Sequence, residues 1–128
     1  MDANERELIN SLIEKVIGAV YEVSNVLGAG FLEKVYERAL VKELALRELH
    51  AEVQYPIQVV YKGATVGDYF ADILVERKLI VELKCAERLG NDHLAQCLNY
   101  LKATGHNIAL LVNFQNPKVE WKRVVNNF

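Results

Sequence analysis

Asp72, Glu82 and Lys84 are three ionisable residues inside a stretch that otherwise reads as strand. Two apolar runs, residues 69–75 and 79–83, flank the polar Glu76-Arg77-Lys78, the pattern of a β-hairpin with a short turn. Side chains alternate across a strand, so Glu82 and Lys84 fall on one face while Val81, Leu83 and Cys85 take the other. If Glu76, Arg77 and Lys78 form a three-residue connection, Val75 pairs with Leu79 and Asp72 stands opposite Glu82 on the same face. Like charges directly opposite destabilise a ladder, and taking them out of water costs more. A divalent cation between them is the simplest resolution. An all-oxygen donor set favours a hard ion, Mg²⁺ or Mn²⁺, over zinc, which prefers Cys and His.

Two helices can bring further groups to such a site. Residues 93–104, with Asp92 as N-cap and Gly105 as stop, carry an apolar stripe of Leu94, Cys97, Leu98 and Leu101. On an adjacent stripe His93, Gln96 and Tyr100 are spaced three and four apart. His93 reads as a surface or capping residue. Gln96 and Tyr100 could overhang the end of the sheet that carries Glu82 and Lys84, because their helix directly follows that strand. In a helix over residues 31–49, with Leu32, Val35, Tyr36, Ala39, Leu40 and Leu44 as its inward stripe, Glu33 sits at the margin of the apolar face.

The remaining elements frame these. Apolar residues from Leu8 to Leu27 recur at helical spacing over residues 4–27, and Gly28-Ala29-Gly30 ends that helix. Residues 51–60 alternate loosely and contain Pro56, which suggests an edge strand or a bulge, and Lys62-Gly63 marks a turn. A strand over 64–75 leads through the hairpin turn into 79–85. Residues 107–114 read as a buried strand, Asn116-Pro117 breaks it, and 118–125 form a last strand with Trp121. The order is α-α-β-β-β-α-β-β, an α/β (α+β) domain with a mixed sheet flanked by helices.

A chain of 128 residues fits one domain with a substantial core. Its apolar runs are too short and too often interrupted by charge to span a bilayer, and its polar, partly acidic start is unlike a signal peptide. The chain is expected to stay in the cytoplasm, with Cys85 and Cys97 as reduced core residues. A formal net charge of −2 argues against a broad basic surface for nucleic acid. Residues 1–50 carry six Lys/Arg against nine Asp/Glu and residues 51–128 carry nine against eight, so any phosphate-binding surface is local and on the second half.

Asp72 followed by Glu82-Leu83-Lys84 resembles the D…(D/E)xK signature of the PD-(D/E)XK nuclease superfamily, with Ala71 where a proline often precedes the first aspartate. Gln96-x-x-x-Tyr100 resembles the QxxxY element of its exonuclease-type branch. Gly30-Phe-Leu-Glu33-Lys-Val-Tyr36 is similar to the signature of the small GxxExxY family assigned to the same superfamily. The resemblance implies a restriction-endonuclease-like fold and a nuclease acting on nucleic acid, in the first place DNA. It implies Asp72, Glu82, the main-chain carbonyl of Leu83 and Glu33 as ligands of Mg²⁺ or Mn²⁺. Lys84 would hold or deprotonate the attacking water, and Gln96 and Tyr100 would orient the lysine or contact a phosphate. A domain this small can dimerise to grip two strands.

Two other readings lead to different expectations. A catalytically silent module of the same fold, binding nucleic acid or a protein partner, would show salt-dependent binding without cleavage. A purely structural hairpin would pair Lys84 with Asp72 or Glu82 in a salt bridge and gain no thermal stability from metal.

Overall fold

The computed structural model describes residues 1–127 as α1 (Ala3–Leu27), α2 (Glu33–Leu46), β1 (Ala51–Tyr61), β2 (Ala64–Val75), β3 (Leu79–Lys84), α3 (Asn91–Thr104), β4 (Ile108–Asn113) and β5 (Glu120–Val125). This is the order expected from the sequence. The five strands form one sheet in the order β1-β2-β3-β4-β5. Only β3 and β4 run parallel, and α3 is their crossover; the other neighbours are antiparallel.

β3 and β4 are covered on both faces, which is why they read as unbroken apolar runs instead of alternating ones. On one face Ile73, Val75, Val81, Leu83, Leu110 and Val112 pack under α1 and α2. On the other, Leu74, Ile80, Ala109 and Leu111 meet Cys97 and Leu101 of α3. The result is a three-layer α-β-α sandwich with separate cores on either side of the sheet.

Local chemistry sets the ends. The Asp2 side chain accepts from the Glu5 N–H at 2.8 Å and caps α1, and Gly28 at φ 71° closes it. Lys62 and Gly63, both at positive φ, make the two-residue turn between β1 and β2. Pro56 lies in β1, the edge strand, and a register shift falls at Val59/Val60.

Several expectations need correction. α2 is shorter than 31–49 and its buried line is Tyr36, Glu37, Leu40 and Leu44; Leu32 and Val35 are exposed, the former as N-cap. α3 begins two residues earlier than expected, with Gly90 as N-cap, so Asp92 lies in its first turn. His93 Nδ1 accepts from the Gly90 N–H at 3.1 Å and does the capping. The last strand starts at Glu120, not 118. Both cysteines are free thiols, but Cys85 is only half-buried. Among the described residues no helix is long and apolar enough to cross a membrane.

Candidate active site

The β2–β3 ladder pairs Val75 with Leu79, Leu74 with Ile80 and Ile73 with Val81. One step further along stand Asp72 and Glu82, and there side chains take over from main chain. The Asp72 N–H donates to Glu82 Oε1 at 2.8 Å, and the Leu83 N–H donates to Asp72 Oδ2 at 2.8 Å. Each carboxylate thus grips the other strand's backbone, and the two strands are held at the point where they begin to separate. Glu82 is 3% exposed and Asp72 half-buried.

Two acids so placed do not ionise freely. Burial pushes the Glu82 carboxyl up to about 8, and the neighbouring Asp72 and Glu33 charges add to this against the Asp72 N–H and Lys84. Asp72 is also raised, by burial first and by Glu37, against the Leu83 N–H, Lys84 and the Gln54 amide. The metal-free pair therefore holds a proton at neutral pH.

Lys84 does not pair with either acid: among the described residues no ion pair within 4.0 Å includes it. Its Nζ donates to Gln96 Oε1 at 2.8 Å, and Gln96 Nε2 donates to the Tyr100 hydroxyl at 3.1 Å. The expectation of a salt-bridged hairpin fails here, because α3 supplies a neutral acceptor that draws the ammonium sideways. Burial, with Glu82 and Asp72 nearby, pushes the Tyr100 hydroxyl up to about 12, so it keeps its proton while accepting from Gln96. The Lys84-Gln96-Tyr100 chain leads out to a groove of about 860 Å³ between the β1–β2 hairpin and α3, lined by Gln58, Val59, Tyr69, Gln96, Tyr100 and Lys102 among others.

The Gly30–Tyr36 segment divides between fold and site. Tyr36 is fully buried; its hydroxyl donates to the Gly28 carbonyl at 2.6 Å and accepts from the Phe31 N–H at 3.2 Å, and its ring stacks on Phe114 at 4.6 Å. Gly30 takes φ 111°, which favours glycine. Both serve the α1–α2 connection. Glu33 is exposed in the first turn of α2; its side chain makes no hydrogen bond among the described residues and acts on Glu82 and Cys85 as a like charge. Among the described residues no three His, Cys, Asp or Glu side chains gather closely enough to cage a metal. Asp72 and Glu82 are brought together; Glu33 stands further off.

Two residues near the site, Glu37 and Asn113, were not picked out by the sequence reading. Glu37 is buried beside Asp72 and is reached by Lys34 Nζ at 3.0 Å and Gln54 Nε2 at 3.3 Å. Its spacing with Leu40 and Leu44 put it on the buried stripe, a pattern visible in the sequence. Asn113, fully buried, bonds to both the N–H and the carbonyl of Ala86 and to Glu120, pinning the chain where it leaves Lys84. Nothing in its sequence context marks it.

The donor set fits a hard divalent cation. Asp72 and Glu82 each commit one carboxylate oxygen to a main-chain N–H, and with both ionised they would set two negative charges against the one positive charge of Lys84, which is turned toward Gln96.

No curated protein matches the chain in sequence. Among solved structures, that of SSO0001 is similar with a TM-score of 0.54 and 18% identity over 97% of this chain. This chain corresponds to only 62% of the length of SSO0001. An alkaline exonuclease (LHK-Exo) from Laribacter hongkongensis is similar with a TM-score of 0.51 and 11% identity, over 84% of this chain and 76% of that one. At these identities the likeness is one of fold. The family model described as the PD-(D/E)XK nuclease superfamily matches residues 10–124, nearly the whole sandwich with Asp72, Glu82 and Lys84 inside it. The chain belongs to the PD-(D/E)XK nuclease superfamily.

Proposed function

We propose that the protein is a metal-dependent nuclease that hydrolyses phosphodiester bonds of DNA. The observation that carries this reading is the pair of buried Glu82 and half-buried Asp72 at the opening of the β2–β3 ladder, with Lys84 on the next alternate position and tethered to α3. Asp72, Glu82 and the Leu83 carbonyl would hold Mg²⁺ or Mn²⁺, with Glu33 extending the site from α2. When bound, the ion polarises a phosphoryl oxygen and lowers the pKa of a coordinated water.

The chain's own residues do the rest. Lys84 places an ammonium against the charge that develops on the phosphoryl group, or holds the attacking water. Gln96 fixes that ammonium's direction through its Oε1, and Tyr100, still protonated, can donate to a substrate phosphate. The groove between the hairpin and α3 gives a strand a path to these groups, with Tyr69 as an exposed ring for a base. Gly30, Glu33 and Tyr36 support placing the chain in the GxxExxY branch: the fold explains the glycine and the tyrosine and leaves the glutamate for chemistry.

The test is cleavage of end-labelled linear, single-stranded and branched DNA in Mg²⁺ or Mn²⁺. Wild type should cut, chelation should stop it, and Glu82→Ala should not cut. Binding that weakens with salt and no cleavage under any of these conditions would leave the silent module instead.

A further inference from the structure

The edge strand β1 contains an anomaly opposite the site. Gln54 has φ 52°, a conformation that costs an L side chain, in the middle of an otherwise extended strand. The ladder pairs Val53 with Ile73 and Tyr55 with Ala71 but omits Gln54, whose place in that register is opposite Asp72. The kink has a consequence for the fold. Ile73 packs in the core under α1 and α2, whereas Ala71 and Ile57 pack in the core beside α3, so the outer hairpin turns over at this point.

That explains a positive φ but not a glutamine. Glycine takes this conformation freely, and asparagine is the commoner alternative. The glutamine uses its amide: Nε2 donates to Glu37 Oε1 at 3.3 Å and Oε2 at 3.4 Å, and the ladder register sets the residue opposite Asp72, whose ionised form the amide favours. Glu37 in turn is 5% exposed, a buried carboxylate that the chemistry above does not use. Its other partner, Lys34, comes from its own helix. A strained strand residue is thus hydrogen-bonded to a buried carboxylate of α2 and stands, by register, across from the aspartate of the candidate site.

We infer that Gln54 and Glu37 are positioning residues for Asp72: Glu37 anchors the Gln54 amide, and the amide sets the orientation in which Asp72, together with Glu82, receives a divalent cation. This rests on the metal-dependent reading of the site. It goes beyond that reading by making the outermost strand and the buried face of α2 part of the apparatus that aims Asp72.

Gln54→Gly separates the side chain from the backbone, because glycine keeps the kink and removes only the amide. The full chain carrying Gln54→Gly should melt at or above the wild-type temperature yet bind Mn²⁺ by calorimetry roughly 10–100-fold more weakly, as loss of a supporting partner does. Glu37→Gln should also weaken binding, and the double variant should be no worse than Gln54→Gly alone, since both act through one path. Gln54→Gly binding Mn²⁺ within twofold of wild type would overturn the inference. If wild type binds Mn²⁺, Asp72→Asn does not, and Gln54→Gly is unchanged, only the positioning role falls. If wild type takes up no Mn²⁺, that role and the metal-dependent reading fall together.

Discussion

Glu82→Gln should make the metal-free protein more stable at alkaline pH, although it removes a residue at the centre of the site. In the fold the Glu82 carboxyl is pushed from its ordinary 4.5 to about 8, burial being the main cause and the Asp72 charge the next. Between those two values the folded chain holds a proton that the unfolded chain has released, so stability falls as pH rises through this window and is fully present only below about 4.5. Each pH unit corresponds to about 1.4 kcal/mol, so the window spans up to about 5 kcal/mol. Half of that would already lower the melting temperature by roughly 10 °C in a domain of this size. Glutamine keeps an oxygen to accept from the Asp72 N–H and has no proton to lose. Thermal melts in chelator from pH 5 to pH 9 should therefore show wild type losing stability with pH and the variant losing much less. Other titrating groups, such as His106, whose pKa burial lowers, cancel in the difference between the two curves. Adding Mn²⁺ at high pH should restore wild type and leave the variant unmoved. Parallel curves for the two proteins would refute the claim that this carboxylate is buried against an uncompensated neighbour.

Lys84→Ala should lower the rate of DNA cleavage by roughly 10²–10³-fold, about 2.7–4 kcal/mol of transition-state stabilisation, with little change in melting temperature. Asn113→Ala should cost about 2–3 kcal/mol in denaturant unfolding, because it leaves both main-chain groups of half-buried Ala86 without the Asn113 side chain as partner. Tyr36→Phe and Glu33→Ala should act oppositely: the first lowers stability by about 1 kcal/mol through the Gly28 and Phe31 bonds while cleavage persists, and the second reduces cleavage at unchanged stability.

The hairpin was legible because its information is local. Glu76, Arg77 and Lys78 interrupt two apolar runs at a length that fixes Val75 against Leu79, and alternation then carries Asp72 to Glu82. Gln96 and Tyr100 were legible because helical spacing put them on one line. The failures lie where a residue's role depends on something distant in the chain. The α2 stripe was drawn through Leu32 and Val35 on hydrophobicity, but that face meets solvent at the helix start, and Glu37 is buried because β1 brings Gln54 to it. Gln54 itself gives no sign of positive φ, since glutamine is not a turn residue. Asn113 looks like the end of a strand and is understood only when Ala86 is seen beside it. The contact from Lys84 to Gln96, twelve residues further on, agrees with the orienting role that the family resemblance implies for that glutamine.

Everything chemical here depends on whether Asp72 and Glu82 together receive a divalent cation. Calorimetric titration of Mn²⁺ into wild type and Asp72→Asn, repeated from pH 6 to pH 9, asks this directly. The predicted result is binding to wild type that tightens as pH rises toward and past about 8, where Glu82 gives up its proton, and no comparable binding to the variant. Equal binding by the two proteins, or none by wild type at any pH, would contradict it.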